Sequence, residues 1–89
     1  MPKVAFTRAL ERFLKAPTMS VEGATLGEAL DNVFQANPAL RGYVLDDQGA
    51  VREHVAIYLN GVVVRDRAKL SDKVGPNDEI YVFQALTGG

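Results

Sequence analysis

The 89-residue chain contains no cysteine and no tryptophan, and His54 is its only histidine. Without cysteine there is no disulfide, no thiolate metal site and no thiol nucleophile, and the compartment is expected to be reducing. His54 has no second metal ligand beside it in the pattern, so solvent or a partner surface is its expected neighbour rather than a metal ion. Neither sign of charge dominates. Ten Lys plus Arg stand against eleven Asp plus Glu, a formal net charge of −1, and neither forms a long block. Phosphate neutralisation needs a basic stripe, so nucleic acid is not an expected partner. No apolar run reaches the roughly 18 residues of a membrane span, and Met1-Pro2-Lys3 does not lead into a secretory apolar segment. The expectation is a soluble cytoplasmic protein with no membrane partner.

What remains suits one small domain, a size that buries about 60 to 65% of its unfolded surface. With 47% hydrophobic residues, three Tyr and four Phe, the chain carries enough apolar material for a core without metal or disulfide support.

Lys3-Val4-Ala5-Phe6-Thr7 alternates as a short strand with Val4 and Phe6 on one face. Arg8 to Lys15 has helix-like spacing at Leu10, Phe13 and Leu14 but is too short to decide, and it is read as a long loop with at most one helical turn. Pro17 restricts Ala16 to extended geometry and introduces Thr18-Met19-Ser20-Val21, a second strand that forms a hairpin with the first. Thr25-Leu26-Gly27-Glu28 has the spacing of a capping box, with the Thr25 hydroxyl on the N3 amide and the Glu28 carboxylate on the cap amide. Leu26, Ala29, Leu30, Val33 and Phe34 then form the one-sided stripe of a helix packed on a core. Pro38 is expected to stop that helix near Ala36 or Asn37.

Arg41 to Ala50, with Asp46-Asp47-Gln48-Gly49, reads as loop, and the paired carboxylates as a solvated turn rather than a cation site. From Val51, alternation predicts a strand with Val51, Glu53, Val55, Ile57 and Leu59 toward the core and Arg52, His54, Ala56, Tyr58 and Asn60 outward. Asn60-Gly61 signals a two-residue hairpin into Val62-Val63-Val64. Asp66 to Val74 connects, with Leu70 and Val74 as buried anchors, and its mixed charges Arg65, Asp66, Arg67, Lys69, Asp72 and Lys73 read as a solvated surface, with a partner contact as the other reading. Gly75-Pro76-Asn77-Asp78 is a turn before a last strand over Glu79 to Gln84. One helix across one face of a mixed sheet of four to five strands is the simplest way to bury a single stripe, an α+β, β-grasp arrangement. The expected boundaries are a folded domain over 1–84 and a flexible tail over 85–89.

This order of elements, together with Thr25-Leu26-Gly27-Glu28-Ala29-Leu30, Ile57-Tyr58-Leu59-Asn60-Gly61, Asn77-Asp78-Glu79-Ile80 and Ala85-Leu86-Thr87-Gly88-Gly89, resembles the ubiquitin-like sulfur carrier family of MoaD/ThiS type. That family includes the molybdopterin synthase small subunit and the carriers of thiamin and cysteine biosynthesis. The resemblance implies that the Gly89 carboxylate is adenylated with ATP by a ubiquitin-activating-type enzyme. Sulfur then displaces AMP, and the C-terminal thiocarboxylate donates its sulfur to a synthase subunit. It also implies a non-enzyme with no bound cofactor, whose reactive group is its own main-chain end.

A side-chain-free Gly88-Gly89 is suited to this chemistry, because glycine enters narrow channels and reaches backbone conformations closed to other residues. Fully extended, the segment from Ala85 to Gly89 reaches about 17 Å. A frayed terminus is the simpler reading of the same residues. If Ile80 and Val82 face the core, Tyr81 and Phe83 face outward beside Ala56 and Tyr58. With Leu86 at the start of the tail, they make an apolar docking face unless a loop covers them. Two other classes fit the same pattern. One is a modifier joined through Gly89 to target lysines, and the other is a β-grasp binding module with an inert tail.

Overall fold

Alternation at the start of the chain gives β1 (Lys3–Phe6), which buries Val4 and Phe6 and exposes Lys3. It pairs antiparallel with β2 (Thr18–Ser20) in the register Val4↔Met19, the expected hairpin. The computed structural model describes residues 1–7 and 18–84. The loop expected over Arg8 to Ala16 and the tail expected over Ala85 to Gly89, including Leu86, Gly88 and Gly89, lie outside the described residues.

The apolar stripe forms α1 (Leu26–Ala36), and Leu26, Ala29, Leu30, Val33 and Phe34 are all buried. An α-helix leaves its first N–H groups without partners inside the helix, and here each finds one outside it. The Leu26 amide donates to the Asp72 carbonyl at 2.8 Å, Gly27 to Leu70 at 2.9 Å and Glu28 to the Thr25 hydroxyl at 3.3 Å. The Glu28 carboxylate accepts from the Ala24 amide at 3.3 Å, one residue earlier than a capping box predicts. The backbone at Thr25 is extended and bridged to Lys73. Gly23 lies so close to the helix that a Cβ there would stand 2.6 Å from the Ala29 nitrogen.

Asn37 ends α1, with its amide on the Val33 and Phe34 carbonyls, as Pro38 requires. Pro38 also starts a helix that the sequence reading did not contain, α2 (Pro38–Val44). Arg41 to Val44 are therefore helical rather than loop. Proline at the first helical position loses no intrahelical hydrogen bond, and Leu40 and Val44, one turn apart, are both fully buried. Residues 46–49 do turn, around an Asp46 carboxylate that accepts from the Gln48 and Ala50 amides.

β3 is Val55–Leu59, four residues shorter at its start than alternation predicts. Glu53 is exposed in a turn rather than facing the core, and His54 lies in that turn rather than on a strand. The backbone there is committed elsewhere. The Arg52 amide donates to the Val44 carbonyl, and the Arg67 guanidinium donates to the carbonyls of Arg52 and Val55. Val51 stays buried through a bridge to Leu45. Asn60 and Gly61 follow with φ of 52° and 83°, the left-handed pair a tight hairpin needs, and lead into β4 (Val62–Val63). Leu70 and Val74 anchor the connection to β5 (Glu79–Gln84), as expected.

The strand order is β2-β1-β5-β3-β4, with β1 and β5 parallel and every other pair antiparallel. Val4, Phe6, Val55, Ile57, Ile80 and Val82 point to the side where α1 and α2 bury their stripes, so the core lies on one face. No helix of the described residues is long and apolar enough to cross a membrane.

Candidate docking face and tail root

Register decides what the other face carries. Tyr81 pairs with Ala5 on one side and with Tyr58 on the other, and Tyr58 pairs with Val63. Residues opposite one another in a sheet share a face, so Ala5, Tyr81, Tyr58 and Val63 form a row across four adjacent strands. Phe83 opposite Ala56 adds a second row toward the end of β5. Tyr81 is 40% exposed, Phe83 42% and Val63 45%, whereas Ile80 and Val82 between them are buried. The Tyr81 and Phe83 rings are tilted against each other, with centroids 6.4 Å apart. Ala5, Ala56 and Tyr58 are half-buried. α2 does not cover these side chains, because its Leu40 and Val44 belong to the core.

β5 ends at Gln84, at the Phe83 end of this face. Its last residue, Gln84, pairs with Val55 and donates its amide to the Thr7 hydroxyl at 3.0 Å, while the Thr7 amide donates to the Val82 carbonyl. The root of the tail is therefore clamped on both sides, immediately before the residues that carry Leu86, Gly88 and Gly89. Tyr58, Tyr81, Phe83 and Ala56 are brought together as predicted.

The perturbed carboxylates do structural work. Asp66 is lowered from 3.8 to about 2 by the Ser71 hydroxyl and by the Lys69 and Ser71 amides. Its loop presents Leu70, at a φ of 53°, to the N-terminus of α1. Asp78 is lowered by the Gly75 amide at 2.7 Å and by the Asn60 side-chain amide at 3.0 Å, at the end of the sheet remote from Gln84. Among the described residues no group of His, Asp or Glu side chains is placed to hold a metal ion, and neither Asp46-Asp47 nor His54 takes part in one.

The model of the ThiS family matches residues 6–89. The chain belongs to the ThiS family. Small archaeal modifier protein 1 of Haloferax volcanii is 35% identical to this ThiS-family chain over 72 residues, covering 80% of it and 78% of the relative. The crystal structure of SAMP1 from the same organism superposes with a TM-score of 0.84 at 27% identity, over 99% of this chain and 98% of that one. A chain of the Amycolatopsis orientalis BexX/CysO complex reaches a TM-score of 0.87 at 20% identity with 100% of both chains covered, a likeness of fold. These neighbours place the ThiS-family chain among the β-grasp, ubiquitin-like proteins.

On this ThiS-family sheet the apolar face is wider than the sequence reading had it, since Ala5 and Val63 extend it to the strands on either side. Val63 was legible: a two-residue turn at Asn60-Gly61 fixes Tyr58 opposite Val63. Ala5 was not, because nothing in the sequence specifies that β1 lies beside β5. The Thr7 hydroxyl at the tail root had no signal for the same reason.

Proposed function

We propose that this protein is a sulfur carrier whose Gly89 carboxylate is activated and thiolated by a partner enzyme. A carboxylate resists nucleophiles until it is joined to a leaving group. Attack of a carboxylate oxygen on the α-phosphorus of ATP releases pyrophosphate and gives the acyl adenylate. Hydrosulfide adding to the carbonyl carbon expels AMP and gives the thiocarboxylate directly, whereas the terminal sulfur of a donor persulfide gives an acyl disulfide, from which a second thiol releases the thiocarboxylate by forming a disulfide with the donor's sulfur. Residues 85–89 act as the tail that enters the enzyme. Tyr58, Tyr81, Phe83, Ala56 and Leu86 form the face on which a ubiquitin-activating-type adenylating enzyme, and later a sulfur-accepting synthase subunit, would dock. The chain itself supplies no catalytic group and binds no cofactor in this reading.

The observation that carries the reading is the run of β5 from an outward aromatic pair directly into Ala85-Leu86-Thr87-Gly88-Gly89, in a chain of the ThiS family. The test is mass spectrometry of the protein after incubation with an adenylating enzyme, ATP and a sulfur donor. Exchange of one oxygen for sulfur at Gly89 is the expected result, and an unchanged C-terminal peptide would count against it. The likeness to small archaeal modifier protein 1 favours a second reading, conjugation through Gly89 to lysines of target proteins. Activation is shared, and the attacking group is then a lysine amine in place of sulfur. Lysines of other proteins carrying an isopeptide-linked peptide of this chain that ends at Gly89 would distinguish it.

A further inference from the structure

Arg65, Asp66 and Arg67 follow one another after β4, and two of the three are used by the fold. The Asp66 carboxylate accepts from the Lys69 and Ser71 amides and the Ser71 hydroxyl. The Arg67 guanidinium is turned onto the carbonyls of Arg52 and Val55. Arg52 is occupied as well, its Nε donating to the Gly42 carbonyl at 2.7 Å. No hydrogen bond or ion pair among the described residues engages the guanidinium of Arg65, which is exposed.

Its position follows from the ladder. The Val64 amide donates to the Ile57 carbonyl at 2.8 Å and Val64 is buried, so the β3–β4 register continues one step past Val63. Alternation then puts Arg65 on the outer face across from Ala56, on the Phe83 side and toward the end where β5 stops at Gln84. At the other end of the face Lys3 and Glu79 are register partners on adjacent strands, a side-by-side pair of opposite sign. Among the described residues Arg65 is thus an uncompensated charge on the border of the apolar face, on the side where β5 ends.

We infer that Arg65 selects the partner by charge, pairing with a carboxylate on the rim of the adenylating enzyme's tail channel. The inference rests on the activation step that the carrier and modifier readings share. A rim charge beside an apolar centre acts mainly on encounter and register, and the apolar contacts and the tail do the rest. The salt dependence follows from the same assignment, because an exposed pair is screened at high ionic strength.

The test uses ATP–pyrophosphate exchange by the adenylating enzyme with this protein as the varied substrate, in low and high salt. Arg65→Glu is expected to raise KM roughly 10-fold or more at low salt, to leave kcat within about twofold, and to converge toward wild type near 1 M salt. Arg65→Gln falls between. Lys69→Glu changes net charge equally from an exposed loop at the helix side and is expected to leave KM unchanged. Thermal unfolding shows that each variant is folded. Equal KM and salt dependence for wild type and Arg65→Glu overturns the inference while leaving activation intact. A matching effect of Lys69→Glu overturns it in favour of net charge. Sedimentation that shows a dimer lost in Arg65→Glu overturns it in favour of a second copy on this face. No exchange with wild-type protein overturns the functional reading and this inference together.

Discussion

Asp66 has a depressed pKa because its loop supplies donors to the carboxylate, and the sign of its pH effect follows. The folded group holds its proton less readily than the unfolded one, from 3.8 to about 2. Its contribution to stability is therefore complete above 3.8 and is lost as pH falls through about 2. Asp66→Asn is expected to lower the denaturation midpoint at neutral pH, with the gap to wild type closing between those values. A gap independent of pH down to 2 would mean that the carboxylate charge does not matter there. Nothing at Leu70 announces its left-handed backbone, a conformation that costs a non-glycine residue roughly 1 to 2 kcal/mol. Burial of its side chain and the bond from the Gly27 amide to its carbonyl offset that cost. Asn60-Gly61 was readable because those residue types favour the required φ by themselves, whereas Leu70 and the Arg67 guanidinium are placed by groups distant in sequence.

Elements were legible in proportion to how much of their stabilisation is local. α1 shows five apolar positions over three turns and a cap at Thr25, so the pattern alone specifies it. α2 has seven residues and two buried positions, too few for a period to emerge, and its existence depends on Leu40 and Val44 meeting a core assembled by other segments. Alternation misled at Val51 to His54 because it reports which residues can be half-buried and not where the backbone hydrogen bonds go. Arg67 takes the carbonyls that a longer strand would have used. Leu40 gives the measurable consequence. It is fully buried, so Leu40→Ala is expected to destabilise the protein by about 2 to 5 kcal/mol in chemical denaturation, through lost burial and the cavity left behind. Val62→Thr, on a side chain 69% exposed, is expected to change stability by less than about 0.5 kcal/mol. A small loss at Leu40 would show that α2 docks independently of the core.

The whole molecule separates two faces of one sheet, and that separation was predictable because alternation assigns each residue of β5 to a side. Ile80 and Val82 stabilise the fold from the core, while Tyr81 and Phe83 lie on the opposite side, 40% and 42% exposed. That β1 extends the outer face beyond β5 was not predictable, since this pairing joins segments distant in sequence. Face and tail can therefore be removed independently. Phe83→Ala is expected to lower the thermal midpoint less than Val82→Ala does, because Phe83 is 42% exposed on the side away from the core and Val82 is fully buried. An aromatic anchor in an interface is worth about 1 to 3 kcal/mol, so Phe83→Ala is expected to weaken binding to the adenylating enzyme roughly 5- to 150-fold. Deletion of Gly88 and Gly89 is expected to do the reverse, abolishing thiolation while affinity for the enzyme falls by no more than a few-fold. Calorimetric binding and mass spectrometry on the same two variants separate these effects. If the truncated chain loses binding as completely as it loses sulfur, the tail rather than the sheet supplies the affinity, and the outward aromatics of β5 have been assigned the wrong role.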